Sequence, residues 1–307
     1  MITHPGTRTN PPQPVKTCLS WIGGKTYLAP WILHYLPPHR VYVEPFAGSA
    51  AVLLAKKPSP LEVINDRDEG LITWYRVLRD PQTVDEFIRR VELWPYSRRE
   101  WYRARETWRT CEDPVEKALR WFVVAAQSFS GAWGRSWSLT TGTTPTGEIR
   151  EATKTWRNLP PKLAALHHRL QYVQVEDKDW SAMVALYDAP RTLFYIDPPY
   201  ITSTRTEAKL YAQEMTDADH QAMVETLLTM QSMVILSGYA HPLYAPLEAA
   251  GWHQVTRPSV LHSHARSRDH HGQGTGSMAH HFRQECLWIN PPAWAVQRQM
   301  SLFDDEL

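Results

Sequence analysis

The sequence predicts an α/β fold built around a mostly parallel sheet. Six short apolar runs, many of them rich in β-branched residues, are spread along the 307 residues. Continuous runs of this kind are typical of strands buried on both faces. Helical patterns lie between the runs, so strands and helices alternate along much of the chain. The clearest unit is the run 193–197, a helix from about Asp217 and the run 233–237, which together predict a βαβ unit.

The predicted strands are bounded by polar residues, prolines or glycines. They are Val41–Pro45, Leu61–Asp66, Tyr172–Asp177, Leu193–Asp197, Met233–Gly238 and Glu285–Asn290. Thr216 and Asp219 have the spacing of a capping pair at the start of the helix between the last two parallel strands.

The segment 71–160 has a different character and predicts a mostly helical insertion in the α/β domain. Val84, Phe87 and Val91 recur at helical spacing. Asp113 is expected to cap a second helix, with Pro114 at its first position and Glu116 completing a capping box. The resulting organisation is a loose arm at 1–17, an α/β domain at 18–70 and 161–290, the insertion, and a tail at 291–307.

Composition excludes several classes of protein. Hydrophobic residues make up 43% of the chain and the formal net charge is +1, so any nucleic-acid surface needs charge gathered on one face. Three isolated cysteines indicate neither a disulfide framework nor a zinc site. No run approaches the roughly 18 apolar residues of a membrane span, and the N-terminus lacks the apolar core of a signal peptide. We therefore expect a cytoplasmic protein without a metal, and a monomer.

A small-residue turn follows the first predicted strand, in the stretch VYVEPFAGSAAVLL. Gly48, Ser49 and Ala50 let a ligand approach the backbone closely at the start of a helix. About twenty residues later a second strand ends at Asp66, where an acid can hold a ribose diol. The turn lacks the dinucleotide pattern G-x-G-x-x-G, which disfavours NAD.

The stretch YIDPPY ends the strand at 193–197 with an acid, two prolines and an aromatic ring. Asp197 follows the strand, at the edge where open α/β sheets bind ligands. The prolines stiffen the turn, so that the Pro198 carbonyl becomes a second fixed acceptor. Tyr200 supplies a stacking surface. Two acceptors and a π-surface suit a flat base that carries an exocyclic amino group.

Along the chain, the motifs WIGGK, VEPFAGSA and IND are followed by a helical insertion and then by FYIDPPY. With its motifs in this order, the chain resembles the Dam-type adenine-N6 DNA methyltransferases over roughly residues 18 to 290. The later segments resemble phage and prophage members. The resemblance implies a Rossmann-like methyltransferase sheet with helices on both faces and a target-recognition insertion. It also implies S-adenosylmethionine (AdoMet) as cofactor and double-stranded DNA as partner. Ala50 departs from many relatives, which have a second glycine there.

The resemblance also assigns roles to individual residues. Asp197, Pro198, Pro199 and Tyr200 match the catalytic motif. The cofactor-binding set is Trp21, Gly23, Lys25, Glu44, Phe46, Gly48, Asp66, Asp179, Trp180 and Asp197, with Asp177 as a rival to Asp179. In this chemistry the adenine flips out of the duplex and stacks on Tyr200. Asp197 and the Pro198 carbonyl accept its N6–H bonds and stabilise the charge that develops on nitrogen.

A cluster of basic residues predicts a DNA surface in the insertion. Residues 89–121 carry nine positive and six negative charges, an excess of +3 by subtraction. A solvated helix face explains the excess nearly as well. The expected DNA contacts are Arg98, Arg99, Arg103, Arg135 and Arg205. Arg135 lies in the segment 128–148, which is rich in Gly, Ser, Thr and Trp and resembles the family's hairpin.

Two further segments stand apart. Six histidines between 262 and 281 predict a loop, either mobile near DNA or idle at the surface; a metal site is the third possibility. In the tail, Gln299, Leu302 and Phe303 resemble the short peptide by which bacterial replication and repair proteins bind the sliding clamp.

Two alternatives to adenine methylation of DNA stay open at this point. One is a methyltransferase that acts on cytosine N4 or on RNA adenine. The other is a DNA-binding relative that has lost catalysis. The recognition sequence, the presence of a companion restriction enzyme and the role of the histidine loop do not follow from the sequence.

Overall fold

The computed structural model describes residues 13–139, 152–204, 214–260 and 282–304. These residues form a sheet of seven strands in the order β3-β2-β1-β4-β5-β7-β6. The five strands β1 to β5 run parallel, while β7 is antiparallel to both β5 and β6. The strands are β1 (Val41–Glu44), β2 (Leu61–Asn65), β3 (Val173–Glu176), β4 (Thr192–Ile196), β5 (Met233–Tyr239), β6 (His253–Val260) and β7 (Phe282–Ile289).

Helices account for most of the remaining described chain. They are α1 (Ala29–His34), α2 (Ala51–Ala55), α3 (Glu69–Arg79), α4 (Val84–Leu93), α5 (Arg98–Thr107), α6 (Pro114–Gln127), α7 (Ala152–Arg157), α8 (Leu159–Leu170), α9 (Trp180–Tyr187), α10 (Asp217–Leu227), α11 (Ala245–Ala249) and α12 (Pro291–Asp304). None of the described helices is long and apolar enough to pass through a lipid bilayer.

Two hydrophobic clusters cover the two faces of the sheet. One joins Ile64, Leu193 and Ile235 of the strands to side chains of α3, α4, α6 and α8. The other joins Val63 and Phe194 to side chains of α9, α10 and α11. Because successive strand residues point to opposite faces, neighbours such as Val63 and Ile64 enter different clusters. The predicted α/β sheet with helices on both faces is confirmed.

The segment predicted as an insertion is predominantly helical where it is described, but its core is continuous with that of the sheet. Helix α3 begins before residue 71 and α8 ends after residue 160. The rings of Trp74 and Phe122 stack with their centroids 5.4 Å apart, inside the cluster that also holds the strand residues. The tryptophans Trp74, Trp101, Trp108, Trp121 and Trp156 are buried and therefore build this core.

Local capping signals were largely correct. Thr216 and Asp219 form the predicted capping box of α10. Asp113 caps α6 by accepting from the Val115 amide, as predicted, but the predicted box is wrong because the structure shows Glu116 bound to Arg90 and Arg120 instead.

Two elements near the C-terminus differ from prediction. The strand β6 was not predicted; it runs through His253–Val260 and pairs with β7 along its whole length. The helix α12, which begins at Pro291 in the predicted tail, was not predicted either. Its first turn is held by Asn290, whose Oδ1 accepts from the amides of Val234 and Ala293.

Candidate active site

A pocket opens where β1, β2 and β4 end, at the carboxyl edge of the parallel strands. The register places Glu44 beside Ile64, and Val43 beside Phe194, so the residues that follow these strands meet at one edge. The pocket is lined by Trp21–Lys25, Glu44–Ser49, Ala51, Val52, Asn65–Asp68, Asp179, Trp180, Tyr195, Asp197–Pro199, Glu214, Met215 and Asp219. All ten residues of the predicted cofactor set line it, although the role of each stays a prediction.

Lys25 lines the pocket and is almost fully buried. Its Nζ is 2.7 Å from Asp197 Oδ2 and donates to the Gly23 carbonyl at 2.8 Å. The same ammonium lies 4.8 Å from the centre of the Tyr200 ring. A buried charge needs partners of this kind, so the segment Trp21–Lys25 is tied to the catalytic motif through this ion pair.

Glu44 is buried at the end of β1. Its Oε1 accepts from the Tyr42 hydroxyl at 2.8 Å and from the Leu53 amide at 2.7 Å. Burial outweighs these two hydrogen bonds and raises the pKa of the Glu44 carboxyl to about 8. The protonated form of this carboxyl is therefore favoured in the free protein near neutral pH.

Gly48 makes the turn between β1 and α2 with a φ of +47°. Its amide donates to Asp66 Oδ2 at 2.9 Å, and its carbonyl accepts from the Tyr75 hydroxyl at 2.8 Å. An added Cβ would lie 2.8 Å from Trp21 Nε1, so a glycine is needed for this close approach.

Asp66 holds the turns on either side of it. Oδ2 accepts from the Gly48 amide and Oδ1 from the Asp68 amide at 3.0 Å. Burial raises the pKa of Asp66 to about 6, against these backbone hydrogen bonds. Asn65 also holds neighbouring turns. Its Nδ2 donates to the carbonyls of Pro45 and Lys178, and its Oδ1 accepts from the Lys178 amide.

An aromatic wall stands on the other side of the pocket. The Phe46 and Trp180 rings stack with centroids 6.3 Å apart. Asp179 caps α9 through the Ser181 amide and also pairs with Arg67 at 3.3 Å. Its rival Asp177 pairs with Arg76 and does not line the pocket, so the geometry favours Asp179.

The two carboxylate oxygens of Asp197 differ in their hydrogen bonds. Its Oδ2 is held by Lys25, whereas Oδ1 is buried without a hydrogen-bond partner of standard geometry among the described residues. Burial raises the pKa of Asp197, and the charge and hydrogen bond of Lys25 oppose that rise, as do the hydroxyls of Tyr200 and Ser237. Tyr195, which the sequence reasoning missed, also lines the pocket with a buried hydroxyl. The two-residue period of a strand, which places residues 195 and 197 on one side, was the available signal.

Tyr200 lies behind the pocket rather than in its lining. The side chain is buried, and its hydroxyl donates to Glu285 Oε2 at 2.9 Å and lies 3.1 Å from Ser237 Oγ. The ring meets Tyr239 edge-on with centroids 4.6 Å apart. Stacking of Tyr200 on a flipped base stays a prediction.

Comparison with known proteins identifies the family. The family model of the D12 class N6 adenine-specific DNA methyltransferases matches residues 21–250. The chain belongs to this family. It is also 29% identical over 117 residues to a DNA adenine methylase of Salmonella typhi, and to one of Salmonella typhimurium with the same figures. Each match covers 37% of this chain and 41% of the relative, so the chain spans about two fifths of the length of these relatives.

The pocket of this D12-class family member fits AdoMet. It combines an aromatic wall, a half-buried acid that follows β2 and a turn whose glycine leaves room that a Cβ would fill. Among the residues that the structure describes, no group of three His, Cys, Asp or Glu side chains is arranged to hold a metal ion. The histidine segment 262–281 lies outside the described residues.

The basic residues of this D12-class chain divide into two groups. Arg89, Arg90 and Arg120 are bound to glutamates of the same layer of helices. Helix α5 instead exposes Arg98, Arg99 and Arg103. Arg98 lies 5.2 Å from the Trp137 ring, and Arg103 is 3.7 Å from Glu100. Arg135 is exposed, and Arg205 lies outside the described residues.

The C-terminal helix of this D12-class chain packs on the body through its first half. Trp294 stacks on His253 with ring centroids 3.7 Å apart, and Gln297 donates to the His34 carbonyl at 2.9 Å. Gln299 is exposed. Leu302 and Phe303 belong to α12, but their side chains lie outside the described part of the chain.

Proposed function

We propose that the protein transfers a methyl group from AdoMet to N6 of an adenine in DNA. The observation that carries this proposal is the state of Asp197. One carboxylate oxygen is fixed by Lys25, and the other is buried without a hydrogen bond of standard geometry among the described residues, in a side chain that lines the pocket. A buried acceptor without a donor is costly, and an amino group of a base would satisfy it.

Lys25 and Asp197 would have different roles at the reacting nitrogen. Lys25 orients the carboxylate and favours its ionised form. Oδ1 would then accept one N6–H, while the Pro198 carbonyl, held rigid by its two prolines, would accept the other. These acceptors stabilise the positive charge that develops on N6 in the transition state. AdoMet, when bound, supplies the electrophilic methyl group.

The remaining lining residues would hold the cofactor. Asp66 would bind ribose hydroxyls, and Phe46 with Trp180 would flank the adenine. Glu44 would face the cationic methionine end, next to the turn at Gly48. Trp21 and Gly23 would shape the wall, since Trp21 already contacts the position where a Cβ on Gly48 would lie.

Double-stranded DNA is the proposed substrate, and the exposed arginines of α5 are its proposed phosphate contacts. The target adenine must leave the duplex to reach Asp197. Stacking on Tyr200 would replace the base stacking that the flipped adenine gives up. Tyr200→Phe should then keep much of the activity and Tyr200→Ala should lose most of it, and equal activities would argue against stacking.

The test is to incubate a mixed-sequence DNA with enzyme and AdoMet and to map modified bases by single-molecule sequencing. We expect N6-methyladenine at one recurring sequence. Asp197→Ala should abolish methylation while AdoMet still binds in calorimetry, and Asp197→Asn should keep a trace at most. N4-methylcytosine, methylation of RNA only, or an absence of AdoMet binding would each replace the proposal by one of its alternatives.

We further propose that the C-terminal end binds a bacterial sliding clamp in the cytoplasm of a bacterial or phage-infected cell, and that the enzyme is a monomer. An exposed Gln299 followed by Leu302 and Phe303 provides the anchors that short peptides use. Fluorescence titration of the peptide 291–307 with a clamp tests this. Equal affinity of the Leu302→Ala/Phe303→Ala peptide would refute clamp binding, and light scattering reports the oligomeric state.

A further inference from the structure

A second buried carboxylate lies beside the catalytic motif. Glu285 is on β7, outside the residues 21–250 that the family model matches, and it is only 6% exposed. Burial raises the pKa of its carboxyl, while the charge of Lys25 and the hydroxyls of Tyr200 and Tyr239 oppose that rise. Burying a carboxylate this deeply is costly unless hydrogen bonds or opposite charges compensate for its lost hydration.

The contacts of Glu285 connect two aromatic rings. Its Oε2 accepts from the Tyr200 hydroxyl at 2.9 Å. Tyr239 is its direct cross-strand partner in the antiparallel β5–β7 pair, so both side chains project from the same face of the sheet. The two tyrosine rings meet edge-on, 4.6 Å apart.

The same carboxylate shares a cation with Asp197. Lys25 bonds to Asp197, lies over the Tyr200 ring, and acts electrostatically on Glu285. The buried group therefore holds two carboxylates and one ammonium. Such a group favours a positive charge that appears nearby, which is the change that methylation of a neutral amino nitrogen produces.

We propose that Glu285 is a positioning residue for methyl transfer, which fixes Tyr200 and Tyr239 through their hydroxyls and adds negative charge behind Asp197. This inference rests on the proposed function. It predicts a defect in the methyl-transfer rate without a matching defect in cofactor binding, because Glu285 does not line the pocket.

The experiment compares wild type, Glu285→Gln, Tyr200→Phe and the double variant in single-turnover methylation of a DNA that wild type modifies. A hydrogen bond to a charged group is worth about 1.5–3 kcal/mol, so Glu285→Gln should slow the step by about 10- to 100-fold. The AdoMet Kd should stay within about twofold. Tyr200→Phe removes only one of the two hydroxyls and keeps the charge of Glu285, so it should cost less than Glu285→Gln. In its background the added loss from Glu285→Gln should shrink by the share that the Tyr200 hydroxyl carries.

Gln284 is the matched control, because it is the preceding residue on β7 and is exposed. Gln284→Ala should leave rate and binding unchanged. A wild-type rate in Glu285→Gln overturns the inference, as does a loss that is undiminished in the Tyr200→Phe background. A parallel fall in AdoMet affinity and melting temperature also overturns it, because it would show a merely structural role. If wild type itself methylates no DNA, the proposed function fails instead.

Discussion

Replacing Gly48 by alanine tests the cofactor turn most directly. Gly48 has a φ of +47°, and an added Cβ would lie 2.8 Å from Trp21 Nε1 and 2.9 Å from Trp21 Cδ1. Real Cβ atoms do not approach other atoms this closely, so the Trp21 ring must move. Both residues line the pocket, and Trp21 also contacts Trp121 with ring centroids 5.9 Å apart. The substitution therefore changes the shape of the pocket without removing a polar group.

Two costs add at this position. The left-handed conformation costs an alanine about 1–2 kcal/mol, and forcing a methyl group into a packed site costs about 1–3 kcal/mol. The sum, about 2–5 kcal/mol, corresponds to a melting temperature lower by roughly 3–8 °C for a chain of this length. Displacement of Trp21 should also weaken AdoMet binding by at least about tenfold, or 1.4 kcal/mol.

Gly134 supplies the control for backbone strain alone. It has a φ of +70°, but the nearest atom to an added Cβ is Arg105 Cδ at 3.6 Å, an ordinary contact. Gly134→Ala should therefore cost only the conformational part and leave AdoMet binding unchanged. Calorimetry for the cofactor and thermal melting for the fold measure both variants. If Gly48→Ala melts and binds like Gly134→Ala, the contact with Trp21 has no consequence and the reasoning is refuted.

Three other outcomes follow from charges in the site and on α5. Lys25→Met removes the group that lowers the pKa of Asp197, so the acid limb of the pH–rate profile should move to higher pH; an unmoved limb would show that Lys25 does not control Asp197. Loss of this partner should also destabilise the fold by about 3–5 kcal/mol, measured by denaturant unfolding. The pKa of Glu44 is raised to about 8 in the free protein. If Glu44 must ionise to bind the cofactor's cation, the affinity for AdoMet should rise with pH up to about pH 8, by up to about tenfold per pH unit. Glu44→Gln should flatten this dependence in calorimetry, and a slope that persists would assign it elsewhere. Charge reversal of Arg98 and Arg99 together should reduce the salt slope of DNA binding by about 0.9 for each phosphate that is no longer neutralised, whereas the same change at the ion-paired Arg89 should leave the slope unchanged.

Local signals in the sequence were sufficient for most of the framework. The six apolar runs became strands within a few residues of the predicted bounds, and the Thr216–Asp219 capping box formed as predicted. These features depend on side-chain periodicity and on bonds between residues three apart, which a single stretch of sequence contains. The strand β6 escaped prediction because its pairing with β7 is contributed by a distant segment. The helix α12 was not predicted for a similar reason, since the contacts that hold it come from Asn290, His253 and His34.

The sequence alone also indicated which residues belong to the pocket, because each follows a predicted strand or lies in a small-residue turn, or matches a family motif. It could not show how they contact one another. Lys25 and Asp197 are 172 positions apart, and Tyr200 and Glu285 are 85 apart, so neither contact leaves a local pattern. The parallel strands β1, β4 and β5 end at one edge of the sheet, and the antiparallel pairing of β7 brings Glu285 beside Tyr239 at that edge. Only the tertiary structure could decide that Lys25 binds one oxygen of Asp197, while the other has no hydrogen bond of standard geometry among the described residues. A buried ion pair depends on which distant side chains the fold brings within bonding distance.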